Sequence, residues 1–143
     1  MATSGMTTTR THVFPARLDS LRDIRASLEI FCTECGLARD ACLRTNVVLE
    51  ELFTNCVRHG HGGDSREPVW ISFSCDATDI LLTFEDNARP FNPFRHAAIG
   101  LDHTVRMRPV GGLGVLLTTR LVKSRDYAYV FGRNVSRLRL ERG

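Results

Sequence analysis

Of the nineteen basic residues only Lys123 is a lysine, there is a single tryptophan, and long apolar runs are missing. The longest stretch of apolar residues and glycine, residues 110–117, falls far short of the ~20 residues a membrane-spanning helix needs. The N-terminal dozen residues are polar and Thr-rich without an apolar segment, which gives no sign of export. Basic residues never cluster, acidic ones are interspersed, and the net charge is only +3. That pattern argues against a nucleic-acid partner. Five cysteines cannot all pair within one chain, so a reducing cytoplasm is their simplest home. Cys32-Thr-Glu-Cys35, with Cys42, Cys56, His59 and His61 as candidates to complete a zinc site, lacks the second closely spaced ligand pair that such a site needs, and Cys32 and Cys35 read as small buried hydrophobes on a helix. Internal repeats are absent, as is low complexity beyond the Thr-rich start.

What is present fits one globular domain: 143 residues, 43% hydrophobic and 24% charged. Residues 1–10 read as a flexible tail and 11–143 as the domain. Residues 12–18, with Pro15, suit a short edge strand. Asp19 and Ser20 supply a helix N-cap, with Asp23 completing a capping box. Leu21, Ile24, Leu28, Phe31 and Cys35 then fall on one helical face, and Gly36 suits the helix end. A second helix is predicted from about residue 39 to 59. Its apolar arc holds Cys42, Leu49, Leu52, Phe53 and Cys56, while Arg44, Glu51, Asn55 and Arg58 gather on the opposite one.

The Gly-rich stretch 59–68 reads as a loop. Val69, Ile71, Phe73 and Cys75 alternate with polar positions, as do Ile80, Leu82 and Phe84, which predicts a hairpin of two strands. Residues 87–112, with three prolines and four arginines, form a long irregular segment of the kind that serves as a lid. A helix over about 113–122 and two strands, 126–131 and 134–141, flanking a turn at Gly132 and Arg133 complete the chain. Trp70, Tyr127 and Tyr129 read as packing residues of strands. The fold class is α+β: a two-layer sandwich whose mostly antiparallel sheet is covered on one face by helices.

Three constellations carry chemistry. Glu51 and Asn55 stand one helical turn apart; an amide oxygen can ligate Mg²⁺ and a carboxylate can accept a proton from an incoming hydroxyl. Asp86-Asn-Ala-Arg-Pro-Phe-Asn-Pro93 follows an apolar strand, where a carboxylate can accept the exocyclic N–H of a base; Asp, Asn and Pro are also common turn formers. Gly111-Gly-Leu-Gly114 opens a helix, where free N–H groups favour phosphate. The Gly-Lys-Ser/Thr of a Walker A loop does not follow. Taken in order, these parts describe one nucleotide from magnesium to adenine.

With those residues the chain resembles the GHKL (Bergerat-fold) ATPases and, within them, the RsbW-type anti-sigma factor serine kinases. Leu49-Glu-Glu-Leu-Phe-Thr-Asn-Cys-Val-Arg-His59 looks like the N box, Asp86 to Pro93 like the G1 box and Gly111 to Gly114 like the G2 box. The resemblance spans about residues 12–141, and the length fits such a kinase domain standing alone. It implies an ATP- and Mg²⁺-dependent serine/threonine kinase that phosphorylates a STAS-type anti-sigma antagonist. It also implies sequestration of a sigma factor or other regulator, and a homodimer. By position Glu51 is the expected catalytic base, Asn55 the magnesium ligand, and Arg58, His59 and Phe91 neighbours of the nucleotide. Asp86 would read adenine, Gly111, Gly112, Leu113 and Gly114 would meet the phosphates, and Ser136 would support Asp86. Arg108 is expected to steady the β- and γ-phosphates. Ala88 stands where the family has glycine, and its methyl is expected to crowd the base. The alternative is a regulatory binding module on the same fold that does not turn over.

Overall fold

The structure, a computed structural model, describes residues 8–94 and 121–143. Five strands form one sheet: β1 (Thr8–Pro15), β2 (Pro68–Cys75), β3 (Asp79–Asp86), β4 (Ser124–Val130) and β5 (Arg133–Glu141). Their order is β1-β2-β3-β5-β4, and every neighbouring pair is antiparallel. Two helices, α1 (Leu21–Cys35) and α2 (Arg39–Asn55), pack on one face, so the predicted two-layer α+β architecture is what forms.

The period-2 pattern decides which face is covered. Val69, Ile71, Phe73 and Cys75 of β2, Ile80, Leu82 and Phe84 of β3, and Leu138 and Leu140 of β5 are all buried. Together they form one apolar floor. Ile24, Leu28 and Phe31 of α1 and Val48, Leu49, Leu52 and Phe53 of α2 close down on it in a single core. Between β2 and β3 the Asp76 side chain accepts hydrogen bonds from the N–H groups of Thr78 and Asp79, which makes the predicted short connection an Asx-type turn.

Several local expectations shift. β1 begins at Thr8, inside the stretch read as a tail, and ends at Pro15 on the sheet edge. The capping box does not form: residues 18–20 make a 3₁₀ turn, and the Ser20 hydroxyl donates to the Pro15 carbonyl instead of capping α1. Gly36 does end α1 in the left-handed conformation, at φ 64°. α2 stops at Asn55 and continues as one wide π-turn, Cys56–Gly60. Cys32 and Cys42, read as buried hydrophobes, are joined by a disulfide, because the buried stripe of α1 lies against the start of α2. The sole lysine, Lys123, donates to the buried Asp79 carboxylate at 2.6 Å, and Arg139 donates at 2.8 Å. The Lys123 bond first, then that of Arg139, holds the Asp79 pKa below the usual carboxylate range.

The β4–β5 hairpin turns one residue earlier than expected. Val130 pairs with Arg133, so the two-residue loop is Phe131 and Gly132, at φ 50° and 78°. Two positive φ values define a type I′ turn, which matches strand twist. Phe131 is fully exposed there, a side chain in a backbone region that normally costs a non-glycine residue ~1–2 kcal/mol. Phe131→Asn, which tolerates that region, is expected to raise the thermal midpoint by an amount worth about 1 kcal/mol. A lower midpoint in calorimetry would show that the turn is held in some other way.

Candidate functional site

The end of α2, the π-turn, the ends of β3 and β5 and the turn after β3 meet around one cleft. It is lined by Leu52, Asn55, Cys56, Phe84, Asp86, Phe91, Pro93, Asn134 and Ser136. Asn55 is therefore brought to Asp86, Phe91 and Ser136, which lie far away in sequence, while Glu51 stands beside Asn55 and Arg58 outside the cleft lining. Arg58 is exposed at the rim, and the His59 ring stacks on Phe91 at 6.3 Å between centroids. Most of the expected lid, with Arg108, Gly111, Gly112, Leu113 and Gly114, lies outside the described residues. Free space in the cleft is about 20 Å³, room for about one water.

Asp86 is buried at the last position of β3. Its Oδ1 accepts from the Ala88 N–H at 2.9 Å and from the Asn134 side-chain amide at 2.9 Å. Ser136 was the expected support; it lines the same wall but pairs in register with Phe84, whereas Asn134 pairs with Asp86. Asn134 does more than hold the carboxylate. Its Nδ2 also donates to the carbonyls of Ala88 and Arg89, and its Oδ1 accepts from the Phe91 N–H at 2.9 Å. The Tyr127 hydroxyl bonds to the same Oδ1 and accepts from the Phe91 N–H at 3.2 Å. Tyr127 thus belongs to the site as well as packing against the core. One signal for Asn134 was available: it shares parity with Leu138 and Leu140 on the buried face of β5, where a carboxamide needs partners.

The helix side has the opposite character. Asn55 was placed on a polar arc, yet it is only 3% exposed, because the wall from β3 and β5 covers it. Its Nδ2 atom and the Oε2 atom of Glu51 are shielded from solvent and lack hydrogen-bond partners. Burial pushes the Glu51 carboxyl up to about 7, an effect that the nearby Asn55 carboxamide and the Arg58 charge only partly offset. The unmet Nδ2 is a donor beside the Glu51 carboxylate; turned over, the same amide would put Oδ1 there and offer the one or two protein oxygens a hydrated hard cation takes. The residues present therefore fit Mg²⁺, with Asn55 as its ligand once the amide presents its oxygen.

Ala88 is buried but does not line the cleft. Its methyl faces Gly60, where an added Cβ would come within 2.9 Å. Among the described residues only Phe131 is a non-glycine at positive φ, so the backbone at Ala88 makes no demand for glycine. The missing side chain at residue 60 makes room for the extra one at residue 88.

Two outcomes are expected from this geometry. Asn134→Ala leaves the Phe91 N–H with one partner fewer and the Ala88 and Arg89 carbonyls with none of its donors. The loss should be about 2–3 kcal/mol, measured by urea unfolding. Ala88→Gly should leave ligand affinity of the cleft within about twofold, since a methyl turned away from the cleft displaces nothing there. A gain of tenfold would put the methyl against the ligand after all.

Residues 14–140 match the family model of the histidine kinase-like ATPase domain. No curated protein matches the chain in sequence. Among solved structures, the RsbU and RsbW domains of Rv1364c from Mycobacterium tuberculosis align with a TM-score of 0.66 and 16% identity. That alignment covers 95% of this chain and 33% of that one, so the chain spans about a third of that protein's length. The histidine kinase AdeS of Acinetobacter baumannii aligns at a TM-score of 0.48 and 14% identity, over 94% of this chain and 68% of that one. At such identities the likeness concerns the fold. With the family model running from β1 through β5, the chain belongs to the histidine kinase-like ATPase domain family.

Proposed function

We propose that the protein is a Mg-ATP-dependent serine/threonine kinase of the partner-switching type. It would phosphorylate a STAS-type anti-sigma antagonist and sequester a sigma factor or other regulator. Action in the cytoplasm as a homodimer belongs to the same proposal. Among the described residues no helix is long and apolar enough to cross a membrane. The observation that carries the reading is Glu51: a half-buried carboxylate with a pKa near 7 and an unmet oxygen, one turn from a buried, unmet Asn55.

Each residue has a definite part. Glu51 accepts the proton of the incoming hydroxyl, and a base poised near neutral pH is the efficient choice for that step. Asn55 holds the magnesium, and Asp86, fixed through Asn134, accepts the exocyclic amino group of adenine with its remaining oxygen. Mg-ATP supplies the phosphoryl group, and the protein's own contribution is mostly placement and charge. Arg108 and the glycines at 111, 112 and 114, with Leu113, would receive the phosphates. The non-catalytic module is supported by one observation, the narrowness of the cleft.

Calorimetric titration of Mg-ATP separates the two readings. Binding that needs Mg²⁺ and is lost in Asn55→Ala supports the site, and no binding at millimolar ATP defeats the kinase. Glu51 makes a second, independent expectation. Phosphotransfer should rise with pH through about 7 as the carboxyl loses its proton, and Glu51→Gln should lower the rate at least 100-fold while ATP still binds. Stability runs the other way. The folded pKa lies above the unfolded one, so the folded state holds the proton longer. This group's contribution is then fully present below pH ~4.5 and lost as pH rises through about 7. Glu51→Gln should therefore melt higher than wild type at pH 8, and the gain should vanish at pH 4; an equal gain at both values would sink the buried-carboxylate account.

A further inference from the structure

The CxxC signal of the sequence ends in the Cys32–Cys42 bond, but the fold brings two of the other candidates, Cys56 and His61, to Asp86. Cys56 Sγ, a nitrogen of His61 and a carboxylate oxygen of Asp86 lie within 4.8 Å of one another. The π-turn creates the first half of this set. The His61 N–H bonds to the Cys56 carbonyl at 2.9 Å, and an i→i+5 bond puts residues five apart on one wide turn. β3 supplies the second half, since Asp86 is pinned through Oδ1 and its other oxygen stays outside those bonds. The His61 Nε2 atom is shielded from solvent and has no hydrogen-bond partner, an unmet buried polar group that needs an occupant.

We propose that Cys56, His61 and Asp86 form a site for a divalent ion of borderline softness, Zn²⁺ in the first instance, with the fourth position open. Thiolate, imidazole and carboxylate together select zinc over magnesium, which keeps this site distinct from Asn55. In tetrahedral zinc with these donors, neighbouring ligand atoms stand roughly 3.3–3.6 Å apart, as bond lengths of about 2.0–2.3 Å require. The widest pair therefore closes by about an ångström, within reach of side-chain rotation. On binding, the Cys56 S–H bond breaks, its proton leaves to solvent, and the sulfur pair forms the bond to the metal. His61 and Asp86 contribute lone pairs, and nothing is oxidised or reduced. The consequence rests on the reading of Asp86 as the adenine contact: zinc and nucleotide then exclude one another, and metal availability governs the ATP site.

The test uses the full chain with the Cys32–Cys42 disulfide intact and stripped of metal, titrated with Co²⁺ as a spectroscopic probe and then with Zn²⁺. One equivalent of Co²⁺ should produce a thiolate charge-transfer band that Zn²⁺ abolishes. The band should be lost in Cys56→Ala, and Co²⁺ affinity should fall at least tenfold in His61→Gln, which touches the site from outside the cleft lining. Circular dichroism checks that both variants fold. A missing band, or one that survives in Cys56→Ala, overturns the site. A second titration, of ATP with excess Mg²⁺ at fixed, buffered free Zn²⁺, should show nucleotide affinity at least tenfold weaker in wild type and unchanged in His61→Gln. Metal binding that leaves nucleotide affinity intact overturns the exclusion and the adenine role of Asp86, while the metal site stands. Metal binding without any nucleotide binding overturns the kinase reading alone.

Discussion

The carboxamide of Asn134 is the group on which the cleft depends. It sits at the start of β5, directly across from Asp86, and reaches over the strand end to the turn that follows. Through one side chain the Asp86 carboxylate, two carbonyls and the Phe91 N–H are tied together, with the Tyr127 hydroxyl closing the set from β4. Every member is satisfied, and a satisfied buried network of this kind fixes geometry. It turns the strand end of an ordinary antiparallel sheet into a wall carrying one carboxylate whose second oxygen lies outside the Asn134 network.

Facing that wall is a helix end that departs from regularity. The bonds of α2 widen into a π-turn at Cys56, which carries His59 over Phe91 and brings His61 back toward Cys56. Gly60 lies within the same turn, and the space left by its absent side chain is where the Ala88 methyl packs. Wall and helix end therefore fit each other through a small pair of reciprocal residues. Arg89 adds a bond from the wall to the His59 carbonyl at 3.1 Å. π-turns recur at functional sites because an extra residue per turn re-aims side chains. Here it re-aims two histidines.

Most of the fold was legible because period-2 and helical patterns report burial on one face, and that single fact places α1, α2 and the three central strands. The N box and G1 box were legible as residue types, and Asn55 and Asp86 line one cleft. Legibility stopped where a residue's role came from its partner across the sheet. Ser136 and Asn134 look alike as polar positions of one strand, and only the register, Asn134 opposite Asp86, tells them apart. The effect of Ala88 depended on Gly60, twenty-eight positions away. The Cys32–Cys42 pairing depended on how two helices meet. In the β4–β5 hairpin the turn residue was misjudged because strand pairing, not the glycine alone, sets where the chain reverses, and Phe131 is carried into positive φ as a result.

The two sides of the cleft are unequal in a way that a structural role does not explain. On the sheet side every polar atom of Asp86 and Asn134 that points into protein finds a partner. On the helix side, within one turn, Glu51 Oε2 and Asn55 Nδ2 find none. Leaving such a group unmet costs about 1–3 kcal/mol, and leucines at both positions would extend the apolar arc of α2 without that cost. A chain that keeps a carboxyl near pH 7 and a buried amide side by side gives up stability at a single place. Water cannot recover the loss, because both atoms are shielded. A ligand that offers an acceptor to the Asn55 amide N–H and a hydroxyl to the Glu51 carboxylate would recover it.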